Sequence, residues 1–288
     1  MCGGEKGAAV RHAIALALLL AALAPPSPVG AIVGGVPDGD RHPNVGLLAF
    51  DVDGTGPAAP IAICGGSVIS DRAFLTARHC IEPPLIPLPP GVGWVVTLDG
   101  GSPAAPVTPG GVFPDAFPAC CVIALEESRL ARATGVALHP AFEPGFVPGT
   151  GAPAVGRHDL AVLTFAPGTF AAVAPVVLPA GRLPAGRSRA TLVGYGAELR
   201  DGLYLPGYRK TARASFAGFD DHWLLLSASS PGGGALCMGD SGSPQFLGAS
   251  NLQISVFHDT APGCAGGPSS SQRLDTPAER AFLARFVR

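Results

Sequence analysis

The sequence predicts an all-β fold, either a sandwich or a barrel, and two observations lead to that prediction. The 288 residues include 40 glycines and 31 prolines, about twice their average usage, which leaves little room for long helices. Short apolar stretches recur between Gly, Pro and Asp clusters, a rhythm typical of short strands joined by turns. The predicted strands are Val45–Val52, Ile61–Cys64, Ser67–Ile69, Ala73–Thr76, Val92–Leu98, Val136–Leu138, Leu160–Phe165, Ala190–Gly194, Trp223–Ala228, Pro244–Leu247 and Gln253–Phe257.

One helix is predicted with a clear start, at the C-terminal end of the chain. Thr276 suits the cap position, Pro277 suits the first helical position, and Glu279 completes a capping box. Apolar residues follow over 281–283 and 286–287. The sequence therefore ends in a short amphipathic helix.

Composition excludes several classes of protein. The chain has 19 Lys and Arg against 21 Asp and Glu, a net charge of −2, whereas binding to nucleic acid phosphates needs a clustered basic surplus. Hydrophobic residues make up 47% of the chain, which argues against intrinsic disorder. We expect a folded core and no nucleic acid partner.

The N-terminal segment has the features of a signal peptide. Lys6 and Arg11 precede an uninterrupted apolar run over 13–24, too short for a transmembrane helix of roughly 20 residues. The small residues that end at Ala31 suit a signal peptidase, so we predict a leader over 1–31 and a mature chain that begins at Ile32. The protein is then secreted, either extracellular or periplasmic, with no membrane association after the leader is removed.

Removal of this leader leaves an even number of cysteines in a compartment where disulfides persist. The six are Cys64, Cys80, Cys120, Cys121, Cys237 and Cys264. Six cysteines allow fifteen pairings, and spacing alone does not choose among them. No Cys-x-x-Cys or His-x-x-x-His pattern lies near them, so we expect neither a metal site nor a cofactor.

Three local patterns each offer one member of a Ser-His-Asp triad. A serine hydroxyl is a poor nucleophile at neutral pH, so it needs a histidine to take its proton and a buried carboxylate to orient that histidine. The candidates are Ser241, His79 and Asp159. The backbone N–H groups of Gly239 and Ser241 can stabilise the oxyanion of an attacked carbonyl. The patterns are Leu75–Cys80, His158–Leu163 and Cys237–Pro244.

With these motifs the chain resembles the trypsin/chymotrypsin-like serine proteases, whose triad also follows the chain order His, Asp, Ser. The resemblance extends from Ile32 to the final helix, and six motifs in family order argue against a chance match. The matching segments are Ile32–Gly35, Cys64–Ser67, Thr76–Cys80, Val193–Gly196, Gly239–Pro244 and Ile254–Phe257.

The resemblance implies two six-stranded antiparallel β-barrels with a C-terminal α-helix, in one protease domain over 32–288 with a boundary between the barrels near 166–185. His79 would be the general base, Asp159 its orienting carboxylate and Ser241 the nucleophile. Ser255 would lie beside the triad and offer backbone hydrogen bonds to an extended substrate.

The resemblance also implies two disulfides and an activation pair. Cys64 would pair with Cys80 and Cys237 with Cys264, while Cys120 and Cys121 match no family position. They could pair with each other, pair with another chain or stay free. The free N-terminal ammonium of Ile32 would insert beside Asp240, so that signal cleavage itself creates the active terminus.

The predicted substrate pocket carries no charge where trypsin-like members have an aspartate, six positions before the nucleophile. That position is Ala235, so we expect cleavage after small or apolar residues rather than after Arg or Lys. A Phe257 that replaces a small residue would make the pocket shallow; if loop insertions move it aside, the pocket is deep and apolar. The remaining predicted pocket residues are Leu236, Met238, Ser255 and Ser269.

The chain departs from the family pattern at three places. Arg78 replaces a small residue before the histidine, Ser243 replaces the second glycine after the nucleophile, and an insertion is expected within Pro83–Arg132. None of these removes a catalytic group.

The predicted function is that of a monomeric, secreted serine endopeptidase, with protein or peptide substrates and protein inhibitors as its partners. Two alternatives stay open: a catalytically silent homologue that acts as a binding module, and an esterase on the same scaffold.

Overall fold

The computed structural model describes residues 32–51, 61–82, 93–101, 129–146, 153–183, 188–200, 203–206, 208–228, 233–237, 239–260, 264 and 268–287. The predicted leader, Met238, Cys120, Cys121 and most of the predicted insertion lie outside these ranges. Within them no helix is both long and apolar enough to cross a membrane.

The described residues are mostly strands. They also form one 3₁₀ turn, Arg78–Cys80, and one helix, α1, Pro277–Leu283. The strands are β1 Val36–Pro37, β2 Val45–Asp51, β3 Ile61–Ser70, β4 Ala73–Thr76, β5 Gly93–Thr97, β6 Ala131–Arg132, β7 Gly135–Leu138, β8 Glu143–Phe146, β9 Pro153–Arg157, β10 Ala161–Thr164, β11 Arg189–Gly194, β12 Ala197–Arg200, β13 Leu203–Pro206, β14 Lys210–Phe219, β15 Trp223–Ala228, β16 Pro244–Leu247, β17 Gln253–Asp259 and β18 Ser269–Arg273.

The first sheet is antiparallel and curls around its own core, in the order β6-β5-β2-β3-β4-β10-β7. Its strands are short and rich in apolar residues, and they bury side chains such as Leu48, Phe74 and Leu163 completely. This sheet places the turn that bears His79 directly after β4.

The second sheet closes into a barrel. Its order is β1-β14-β11-β16-β17-β18-β15, and β15 pairs back onto β14. The interior holds Leu192, Leu226, Leu236 and Ile254, all buried. The predicted all-β double barrel with a C-terminal helix is confirmed; the second barrel closes with six strands, while the first is a curled sheet. The chain passes from the first sheet to the second between β10 and β11.

The predicted helix is confirmed, but its predicted capping box is wrong. Thr276 precedes α1 in an extended conformation and makes no side-chain hydrogen bond to the helix. The Glu279 carboxylate accepts instead from His158 Nδ1 at 2.5 Å and from Gln272 Nε2 at 3.2 Å. The helix is therefore attached to the residue that precedes Asp159.

A buried arginine, which no local sequence pattern indicates, joins the two barrels. Arg209, only 2% exposed, donates through Nε to Asp38 Oδ2 at 3.0 Å. Its Nη1 donates at 3.1 Å to the carbonyls of Val45 and Leu98, which belong to the first barrel. A guanidinium can be buried only when paired and hydrogen-bonded, and here those partners come from both halves of the molecule.

Candidate active site

His79 lies in the 3₁₀ turn that follows β4, and a disulfide fixes that turn. The bond joins Cys80 to Cys64 on β3, as the resemblance implied. Arg78, which departs from the family pattern, places its guanidinium 4.3 Å from the centre of the Phe142 ring and pairs with Glu82 at 2.7 Å. The larger residue is therefore accommodated by partners of its own beside the turn.

Asp159 is fully buried and holds His79 by two hydrogen bonds. The backbone N–H of His79 donates to Oδ1 at 2.8 Å, and His79 Nδ1 lies 2.7 Å from Oδ2. Burial opposes ionisation of this carboxyl, yet His79, together with a second hydrogen-bonded histidine, His258, holds the pKa of Asp159 well below its usual range. Burial likewise opposes protonation of His79, but the Asp159 charge raises the pKa of the imidazole. With Nδ1–H on the carboxylate, Nε2 of His79 is left to act as a base.

His158, the residue before Asp159, has a strained backbone conformation that its neighbours hold in place. His158 has a φ of 56°, in the left-handed region that non-glycine residues rarely adopt. Its N–H donates to Gln272 Oε1 at 2.9 Å, and its ring pairs with Glu279. Such strain persists only where surrounding structure enforces it, so β18 and α1 together fix the position of Asp159.

Ser241 lies in a tight turn that is bonded to both barrels. Gly242 N–H donates to the Phe257 carbonyl at 2.9 Å, and the Ser241 carbonyl accepts from Gly65 N–H on β3 at 2.8 Å. Gly242 has a φ of 80°, and a Cβ there would collide with the Thr76 hydroxyl. The turn therefore needs glycine at this position, and it seats Ser241 against the strands that carry His79. No hydrogen bond joins the Ser241 hydroxyl to His79, although both residues are described.

The same turn leaves two backbone donors available. The N–H groups of Asp240, Gly242 and Ser243 all donate to carbonyls nearby, whereas those of Gly239 and Ser241 have no hydrogen-bond partner among the described residues. Gly239 has a φ of 84°, which reorients its peptide at low cost. Two unpaired N–H groups beside the candidate nucleophile suit an oxyanion hole.

Ile32 and Asp240 meet in the structure. Asp240 is fully buried, and its Oδ2 accepts from the N–H groups of Ile32 at 3.1 Å and Cys237 at 3.0 Å, while Oδ1 accepts from Gly196 N–H at 2.9 Å. Burial raises the pKa of Asp240 to about 6, although these three N–H groups act in the opposite direction. The predicted disulfide between Cys237 and Cys264 is also present.

The structure corrects the position predicted for Ser255. Its side chain is buried and donates to Gln245 Oε1 at 2.6 Å, and it makes no hydrogen bond to Asp159 among the described residues. The side chain beside Asp159 is instead His258, three residues further along β17, whose Nδ1 lies 2.9 Å from Oδ2. The resemblance placed Ser255 beside the triad, and it did not point to His258 as the residue of this strand that contacts Asp159.

The structure places the described pocket residues in or next to the second barrel. Ala235 exchanges two backbone hydrogen bonds with Val33, at 2.9 and 3.1 Å. Leu236 and Phe257 are buried in the barrel core, and Ser269 is buried at the start of β18 with its hydroxyl 3.4 Å from the Leu226 carbonyl. None of these residues supplies a charge.

The described part of the chain contains clusters of side chains of the types that bind metals. Cys64 and Cys80 are joined in a disulfide. In the cluster of His139, His158 and Glu279, His139 Nδ1 accepts from Ala141 N–H at 3.2 Å, so Nε2 carries the proton and offers no lone pair.

Two antiparallel barrels with a candidate Ser-His-Asp site between them define a trypsin-like fold. Among solved structures, that of human heparin binding protein is similar with a TM-score of 0.54 and 17% identity, covering 89% of this chain and 96% of that chain. At this identity the similarity shows the fold alone. No protein-family model and no curated protein sequence matches the chain.

Proposed function

We propose that the protein is a secreted serine endopeptidase that cleaves through an acyl-enzyme. The observation that carries the proposal is the buried Asp159, which accepts two hydrogen bonds from His79, while the Ser241 carbonyl is bonded to β3 of the same barrel. The two disulfides favour an exported protein, because such bonds persist in oxidising compartments.

In the proposed reaction, Ser241 Oγ attacks the carbonyl carbon of the scissile bond and its proton passes to His79 Nε2. Asp159 stabilises the imidazolium that forms, and the N–H groups of Gly239 and Ser241 bind the oxyanion. His79 then returns the proton to the leaving amine as the C–N bond breaks. Water, deprotonated by the same imidazole, releases the acyl group and restores the Ser241 hydroxyl.

A binding module without activity is the second candidate. The missing hydrogen bond between Ser241 and His79 favours it, although such bonds often form only when substrate is bound. The similar human protein is named for heparin binding, but the net charge of −2 of this chain does not favour a polyanionic ligand. An esterase would use the same residues as the peptidase.

Labelling with a fluorophosphonate probe separates these candidates. We expect the exported protein to react, Ser241→Ala to be inert, and the matched control Ser250→Ala, at an exposed serine, to react like the wild type. An unlabelled wild-type protein would favour the binding module. Labelling with hydrolysis of esters but not of casein or peptides would favour the esterase.

A peptide panel that varies only the residue before the cleaved bond tests specificity. We expect cleavage after small or apolar residues to exceed cleavage after Arg by about two orders of magnitude or more, because an unpaired guanidinium would be buried near Ala235. Ala235→Asp should raise relative cleavage after Arg, and the uncharged control Ala235→Asn should not. Dominant cleavage after Arg by the wild type would contradict the pocket assignment, and dominant cleavage after Phe would contradict only its shallow form.

A further inference from the structure

His258 occupies an unusual place in the candidate site, because it shares a single carboxylate oxygen with His79. Nδ1 of His258 lies 2.9 Å from Asp159 Oδ2, and Nδ1 of His79 lies 2.7 Å from the same atom. An ionised carboxylate can only accept, so both imidazoles must present Nδ1–H to it. The buried oxygen therefore receives two ring donors.

A local irregularity of the sheet aims His258 at this oxygen. β17 pairs with β18 in regular register as far as Phe257 and Ser271, and the next pair is Asp259 with Ser270. His258 is the extra residue of this β-bulge. Bulges redirect side chains and are frequent next to active sites, and here the bulge turns a histidine of the second barrel toward a carboxylate bonded to the first.

Packing fixes the His258 ring in one orientation. The ring is 7% exposed, lies 4.2 Å from the Trp223 ring centre, and meets the His79 ring edge-on at 6.0 Å. The titratable groups that face it are Asp159 and His79, and Asp259 follows it in the strand. β15 contributes the uncharged Trp223, and β18 contributes serines.

We propose that His258 is a positioning residue for catalysis. It donates a second imidazole N–H to Asp159, fixes the carboxylate against His79 and weakens the interaction of Asp159 with the His79 proton. This rests on the proposed peptidase function. A carboxylate oxygen that accepts two donors is less basic toward each of them. Loss of the His258 donor therefore leaves His79 harder to deprotonate and Asp159 less constrained.

Two substitutions separate the donor from the ring. His258→Phe keeps an aromatic ring against Trp223 but removes the N–H, and His258→Asn keeps a neutral N–H at the same distance along the side chain. We expect His258→Phe to lower kcat by about tenfold or more and to move the acid limb of the kcat/KM profile to higher pH, with KM little changed. His258→Asn should restore most of the wild-type kcat and most of the wild-type position of the acid limb. The control His222→Asn, at a histidine with no described contact to Asp159, should behave as wild type.

A second measurement does not depend on turnover. In protein labelled with ¹⁵N-histidine, we expect two slowly exchanging Nδ1–H signals from the rings bonded to Asp159, one of which disappears in His258→Phe while the other moves downfield. An inactive wild-type protein with both signals would contradict the peptidase and leave the hydrogen-bond geometry standing. Equal losses in the Phe and Asn variants, an unmoved acid limb in His258→Phe, or a single Nδ1–H signal in the wild type would overturn the role of His258.

Discussion

Ser241→Ala is expected to lower kcat/KM by several orders of magnitude, and His79→Ala by a similar factor. The double variant should be little worse than either single one, because nucleophile and base act as a unit and neither works without the other. Steady-state hydrolysis of one peptide substrate by the three variants gives the comparison. Circular dichroism and the midpoint of urea unfolding check that each variant is folded.

Multiplicative losses in the double variant would contradict the assignment, since they would mean that the two side chains act independently. The pH profile adds a further expectation. The Asp159 charge raises the pKa of His79 above the ordinary value of 6.5, and only neutral imidazole accepts the serine proton. Activity should therefore fall as pH drops through a value above 6.5, and a rate that is constant down to pH 4 would exclude His79 as the base.

Most residues of the candidate site can be predicted from the sequence, because they lie in short local motifs. His79, Asp159 and Ser241 each lie in a short apolar or glycine-rich segment. The residues next to each of them in the chain are enough to indicate its role. The strands of the first barrel alternate with Gly and Pro clusters and were predicted closely, as β4 shows. The polar β18, Ser269–Arg273, was missed because its buried serines resemble a loop in composition, although the closed barrel pairs them on both sides.

Residues whose positions depend on contacts between distant parts of the chain could not be predicted from local motifs. The β-bulge that aims His258 depends on the register of β17 against β18, which no local pattern encodes. Glu279 had a sufficient local explanation as part of a capping box, and the tertiary pairing with His158 overrides it. Arg209 and Asp38 are 171 residues apart in the chain, so their pairing becomes visible only when both barrels are assembled.

The structure also predicts that a single peptide bond, the one before Ile32, controls both stability and activity. Ile32 has a φ of 37°, a value that is costly for a β-branched residue as long as a peptide precedes it. Cleavage removes that torsion and converts the amide that donates to Asp240 into an ammonium. The carboxylate whose pKa is raised to about 6 by burial then gains a positive partner.

Two chains that differ by one residue test this, one beginning at Ile32 and the other at Ala31. In the longer chain the folded-state pKa of Asp240 exceeds the unfolded value of 3.8, so the folded state holds its proton more tightly. The free energy of unfolding should therefore fall by about 3 kcal/mol as pH rises from about 4 to above 6. The chain that begins at Ile32 should avoid this loss, because the ammonium favours the ionised carboxylate, and should exceed the longer chain in kcat/KM by orders of magnitude. Urea unfolding at several pH values and peptide hydrolysis measure the two effects, and Asp240→Asn should abolish the fall in the free energy of unfolding of the longer chain between pH 4 and 6, because the titrating carboxyl is gone. Full activity in the chain that begins at Ala31, or N-terminal sequencing that finds an active exported protein beginning upstream of Ile32, would refute activation by signal cleavage.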